Sequence, residues 1–119
     1  MITALHHIAL IVSSEKSLEI YKLLGFRETF RLSRTYDTVV LLDCGDIELE
    51  IFIDGRHPKH EGAEPLGLRH FALRVDDLDA TIELMKSAGT EVQKIDHDWK
   101  GQRYCFIKDF DGNIFELHE

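Results

Sequence analysis

Basic clusters are missing from this sequence, as are long apolar runs, paired cysteines and low-complexity tracts. Fourteen Lys and Arg against 22 Asp and Glu leave a formal charge of -8. No Lys/Arg group stands out to follow a phosphate backbone or an anionic membrane surface, so neither nucleic acid nor membrane is expected as a partner. No apolar run approaches the ~20 residues that cross a bilayer. The opening segment MITALHHIALIVSSEK carries two His and no basic region before its short apolar stretch, unlike a secretion signal, and a cytoplasmic location is expected. Cys44 and Cys105 stand singly in apolar, strand-like runs without CxxC spacing, and read as small buried hydrophobes rather than a disulfide framework. Both prolines, Pro58 and Pro65, fall in one stretch, which leaves the rest of the chain free for regular structure.

What remains is an ordinary globular composition, 44% hydrophobic and 30% charged over 119 residues, enough for one domain with a proper core. Its plan is an internal duplication. The stretch LHHIALIVSSEKSLEIYKLLG (5–25) has a His entering an apolar strand, a turn, and an amphipathic helix stopped by Gly. The stretch GLRHFALRVDDLDATIELMKSAG (67–89) repeats it. His7 and His70 lie 63 residues apart, and the closing Gly25 and Gly89 lie 64 apart.

In the first half, residues 6–12 read as a strand, Ser13 and Ser14 as a cap, and Leu18, Tyr21 and Leu24 as one face of a helix. Strands follow at 26–35, 38–42 and 47–53, the last (IELEIFI) alternating with period two. There Ile47, Leu49 and Ile51 share one face, and Glu48, Glu50 and Phe52 the other. The second half predicts a strand at 69–75, a cap at Asp76 or Asp77, and a helix with Leu78, Ile82 and Met85 inward. Strands near 90–95, 103–108 and 114–118 complete it, with a turn at 109–113. The order is βαβββ twice, which predicts an α+β fold whose eight strands form a curved sheet or incomplete barrel, with a helix of each unit outside. The whole chain, 1–119, is read as one domain: module 1 at 1–54, a Gly/Pro-rich connection at 55–66, and module 2 at 67–119.

The duplication selects the polar residues. His7 matches His70, and Glu50 matches Glu116, 66 residues on. Imidazole nitrogen and carboxylate oxygen are ligands for divalent Zn, Ni, Co, Mn or Fe, and strands hold them rigidly. A set of His7, Glu50, His70 and Glu116 leaves positions open for water or substrate, as catalytic sites do. Glu48 shares a face with Glu50 and is its rival. Glu50 is preferred because it stands, like Glu116, just before the end of its half's last apolar run. By strand parity His6 points away from His7, and His6, His57, His60 and His97 read as surface residues. His118 shares the face of Glu116. Arg74 shares parity with His70, and Arg103 follows the segment WKGQ (99–102); both are candidates for binding an anionic group of a substrate.

These motifs together, HHIALIV, Gly25-Phe26 at the helix end, IELEIF, GLRHFALRVDDLDA and DFDGNIFELHE, resemble the vicinal oxygen chelate superfamily over nearly the whole chain. That group is also called the glyoxalase, bleomycin resistance and extradiol dioxygenase superfamily. The last motif is similar to its DPDGxxxEL ending, and the likeness is greatest to small glyoxalase I-like, lactoylglutathione lyase-like members. The resemblance implies two paired βαβββ modules around a metal cavity, with metal ligands at His7, Glu50, His70 and Glu116, and a homodimer is expected. It implies a metal-dependent lyase or isomerase that takes a small vicinal-oxygen substrate, for example a 2-oxoaldehyde thiol adduct, through an enediolate, with Glu116 or Glu50 as general base. A drug-binding protein without catalysis, or a ring-cleaving dioxygenase, are the alternatives. Two departures, Ile11 where glutathione-using members carry Arg and Asp54 where they carry Asn, bear on whether glutathione is the thiol.

Overall fold

A computed structural model describes all residues, Met1–Glu119, as two compact units, Met1–Pro58 and Lys59–Glu119. The division falls inside the expected connection, so His57 belongs to the first unit and His60 to the second.

In the first unit, β1 (Ile8–Val12) leads through a 3₁₀ turn (Glu15–Leu18) into the short helix α1 (Glu19–Leu23). The strands β2 (Arg27–Ser33), β3 (Thr38–Cys44) and β4 (Ile47–Ile53) follow. They form a four-stranded sheet in the order β1-β4-β3-β2, with β1 parallel to β4 and the other pairs antiparallel. In the second unit, β5 (Phe71–Arg74) and α2 (Leu78–Ser87) precede β6 (Glu91–Val92), β7 (Asp96–His97), β8 (Arg103–Lys108) and β9 (Ile114–His118). These strands make a five-stranded sheet in the order β5-β9-β8-β6, with β7 also on β8. The fold is mixed α+β with two open sheets, and the βαβββ order recurs as the sequence predicts.

The expected eight strands become nine because the stretch at 90–95 is not one strand. Val92 pairs Ile107 and Asp96 pairs Tyr104, so three residues on the edge face two on β8, and the extra one breaks the ladder. The first unit carries the same irregularity: Glu28 pairs Leu42 and Leu32 pairs Val39, again three residues against two. Both bulges sit on edge strands, where they blunt an exposed ladder.

The helix closures are duplicated as closely. Phe26 N–H donates to the Tyr21 carbonyl (3.1 Å) and Gly25 N–H to Lys22; Thr90 N–H donates to Met85 (3.0 Å) and Gly89 N–H to Lys86. This double closure needs a left-handed residue, and the two glycines supply it at φ 110° and 79°. Asp77 caps α2 by accepting from Ala80 N–H (2.9 Å), whereas the expected cap at Ser14 makes no side-chain bond. Alternation on the strands fixes the core. Val40, Leu42, Leu49 and Ile51 are fully buried in one unit, and Cys105, Ile107, Phe115 and Leu117 at the matching positions of the other. Each large apolar side chain among them contributes about 1.5–3 kcal/mol by leaving water. Burial pushes the Cys105 thiol up to about 11, as expected of a cysteine that serves as a hydrophobe.

Candidate metal centre

Register builds each half of the site. In β1 and β4 Ala9 pairs Glu50; in β5 and β9 Ala72 pairs Glu116. Alternate residues share a face, so the His two positions before each Ala approaches the carboxylate that pairs with that Ala. The match also separates Glu50 from Glu48, because Glu48 corresponds to Ile114 and only Glu50 corresponds to Glu116. Both His stand one residue ahead of their strands, since β1 begins at Ile8 and β5 at Phe71 rather than at 6 and 69.

In the first unit His7 Nε2 lies 3.8 Å from Glu50 Oε2, with both side chains about one-third exposed. In the second, His70 Nε2 lies 2.9 Å from Glu116 Oε2 and both are largely buried. The His70 ring meets Phe106 edge-on, with centroids 5.0 Å apart. Glu116 also has His118 within 3.8 Å of its other oxygen, Oε1. His118 Nδ1 is 2.9 Å from the Glu119 carbonyl and its Nε2 is 2.9 Å from Asp98 Oδ2. Both partners only accept, so the ring is favoured with a proton on each nitrogen, and its pKa is raised, chiefly by the Glu119 carbonyl and then by Asp98. Asp98 is itself lowered, first by the Gln102 N–H. The shared face of Glu116 and His118 is legible in the alternation of β9; Asp98 is missed, because a turn brings it across twenty positions.

His6 does not point away from His7. Residues 6 and 7 precede β1, so strand alternation does not apply, and His6 Nδ1 lies 2.9 Å from His7 Nδ1. A nitrogen from each ring and a Glu48 oxygen lie within 4.8 Å of one another. Of the two candidate anion binders, Arg74 is exposed and donates to the Glu119 carbonyl (3.2 Å). Arg103 is held by Asp79 (3.2 Å) and Glu119 (2.9 Å), which together raise its pKa.

On the Glu50 face of the first unit a cavity of about 450 Å³ opens over Ala9, Ile11 and Phe52. Tyr36, Asp54 and Arg56 stand at its rim. Asp54 accepts two bonds from the Arg56 guanidinium (2.8 and 2.7 Å), which holds its carboxyl well below the usual range. The Arg34 guanidinium lies 4.8 Å from the Tyr36 ring centre and also pairs with Asp37 (2.6 Å). The rim thus carries cations already matched by carboxylates. Both departures noted in the sequence, Ile11 and Asp54, line this cavity.

The family model described as Glyoxalase/Bleomycin resistance protein/Dioxygenase superfamily matches residues 4–117. An uncharacterized protein of Bacillus subtilis, YwkD, is 34% identical over all of this chain and 98% of its own. The crystal structure of SMU.1112c superposes with a TM-score of 0.90 at 37% identity, covering 100% of both chains. A glyoxalase family protein from Enterococcus faecalis gives 0.86 at 32%, covering 98% of this chain and 97% of its own. The same fold, at 22% identity and a TM-score of 0.80, is found in a mutant of the fosfomycin resistance protein FosX from Listeria monocytogenes complexed with Mn(II), over 99% of this chain and 90% of that one.

Proposed function

Because the chain belongs to the Glyoxalase/Bleomycin resistance protein/Dioxygenase superfamily, we propose that it is a metal-dependent lyase or isomerase of the glyoxalase I type, acting on a small substrate with adjacent oxygens. The observation that carries this reading is the repeated His–carboxylate pair, His7 with Glu50 and His70 with Glu116, at matching register in the two units. Two imidazoles and two carboxylates are a donor set that fits a divalent ion such as Zn, Ni, Co, Mn or Fe. Separations of 2.9 and 3.8 Å between paired donor atoms bracket the roughly 3.3 Å spanned by two ligands on one ion with bonds near 2.1 Å. When bound, a divalent ion polarises a substrate carbonyl and makes the neighbouring C–H acidic.

The proton steps belong to the carboxylates. Glu116 is the better placed base: it is the more buried of the two, with one oxygen facing His70 and the other 3.8 Å from His118. Glu50 is the alternative base, and the overall reaction is a proton relocation. The cavity over Ala9, Ile11 and Phe52 takes the part of the substrate that does not react. Its floor is apolar and its cations are already paired, so it suits a compact, weakly charged thiol adduct better than a strongly anionic tail such as that of glutathione. The test is turnover of 2-oxoaldehyde adducts with a range of small thiols, alongside Glu116→Gln. Activity in the native protein and its loss in the variant support the reading. Binding of such adducts without turnover by metal-loaded native protein rejects catalysis and leaves a sequestering protein.

A further inference from the structure

The face of β4 that carries Glu50 offers more carboxylate than the paired site uses. Asp43 pairs with Glu48 across β3 and β4, and Leu41 with Glu50, so Asp43, Glu48 and Glu50 all project from one face. Asp43 Oδ1 is buried there without a hydrogen-bond partner, an unmet demand for a donor or a cation. Arg27 stands in register with Asp43 on β2 and leaves that oxygen unsatisfied. Above this face are two adjacent imidazoles, His6 and His7, whose Nδ1 atoms lie 2.9 Å apart. Two nitrogens bound to one tetrahedral ion at 2.0–2.1 Å sit about 3.3 Å apart, so a small opening of the pair admits an ion. The third donor, Glu48, is within 4.8 Å of both.

We propose that His6, His7 and Glu48 form an outer site for a Zn²⁺-, Co²⁺- or Ni²⁺-type ion, which captures the metal and passes it to the His7–Glu50 pair. The passing role rests on the metal site proposed above; the outer site itself does not. His7 serves both positions with different atoms, Nδ1 toward His6 and Nε2 toward Glu50. A neutral imidazole offers one lone pair, so the ion occupies one position or the other, and transfer exchanges the proton between the two ring nitrogens. His6 and His7 are exposed, so an ion reaches the outer site directly from water. Two imidazoles with a carboxylate suit borderline ions over Mg²⁺ or Ca²⁺, which prefer oxygen ligands.

The test uses the full chain freed of metal by chelation and titrated with Zn²⁺ by calorimetry. With the inner set disabled by Glu50→Gln and His70→Ala, the protein should still bind one Zn²⁺, more weakly, and adding His6→Ala should remove it. No binding in the double variant, or binding that survives His6→Ala or Glu48→Gln, overturns the outer site. In the otherwise native chain His6→Ala should slow Co²⁺ uptake by roughly tenfold while the final stoichiometry stays the same. Unchanged uptake overturns the passing role. Failure of the native chain to retain metal, or retention insensitive to His70→Ala, rejects the inner site instead, and the outer site is then judged on the double variant alone.

Discussion

Replacing Gly112 by Ala tests how the second unit holds its last strand, and with it Glu116. Gly112 lies in the turn that joins β8 to β9, where Asp109 Oδ1 accepts from the backbone of Asp111 (2.9 Å) and Asn113 (2.8 Å). Its φ is 83°, a conformation that costs an L-residue about 1–2 kcal/mol. A Cβ here would also stand 3.3 Å from the His60 carbonyl carbon and closer still to its oxygen. Relief requires the segment around His60 to move, which breaks the His60 N–H to Asp111 carbonyl bond (3.2 Å), worth about 0.5–1.5 kcal/mol net. The sum is roughly 1.5–3.5 kcal/mol, the upper part of the usual range for a single substitution. Gly89→Ala is the control: its φ is 79° but no atom lies within 4 Å of the added Cβ, so only the conformational cost of about 1–2 kcal/mol applies. Urea unfolding midpoints of both variants, at unchanged m-value, measure the difference. Equal losses in the two would refute the packing of the His60 segment on this turn.

His118→Phe should fold, because Phe52 occupies the matching position in the first unit. It should weaken metal binding by about tenfold, as loss of a group that orients a ligand does; unchanged affinity would mean that His118 does not position Glu116. Stability should fall in both directions from neutral pH. Asp54 and Asp98 are lowered in the folded chain, so their contribution is complete above their unfolded values and is lost as pH falls through the lower folded ones. His118 is raised, so its contribution is complete below its unfolded value near ~6.5 and is lost as pH rises through the higher folded one. Urea midpoints of native and His118→Phe protein across this range check it: the variant should lack the loss on the alkaline side, and identical profiles would refute the assignment.

Period-two alternation gives the bounds of β4 to the residue, because that strand has one buried face and one that carries carboxylates, and the strands expected near 103–108 and at 114–118 coincide with β8 and β9. It failed where residues have no ladder partner. His6 and His7 precede β1, so parity said nothing true of their rings, and the edge stretch 90–95 breaks where its extra residue bulges. The His7–Glu50 and His70–Glu116 pairs were legible because parallel strands of a duplicated unit fix offsets that survive loop-length changes. The cavity rim at Tyr36 and Arg56 and the Asp98 partner of His118 lie in turns, where no period marks them. Arg103 stands beside a loop in the sequence, and the carboxylates that hold it, Asp79 and Glu119, lie far from it along the chain.

The measurement that tests the central claim most directly is elemental analysis of purified native protein and of His70→Ala, each before and after chelation and reloading. The account predicts about one divalent metal ion per native chain, removed by chelator and restored on addition, and its loss from the variant as purified, which on reloading takes up only the weaker ion held by His6, His7 and Glu48. Native protein that neither carries nor takes up a divalent metal, or a variant that retains it fully, would contradict the account.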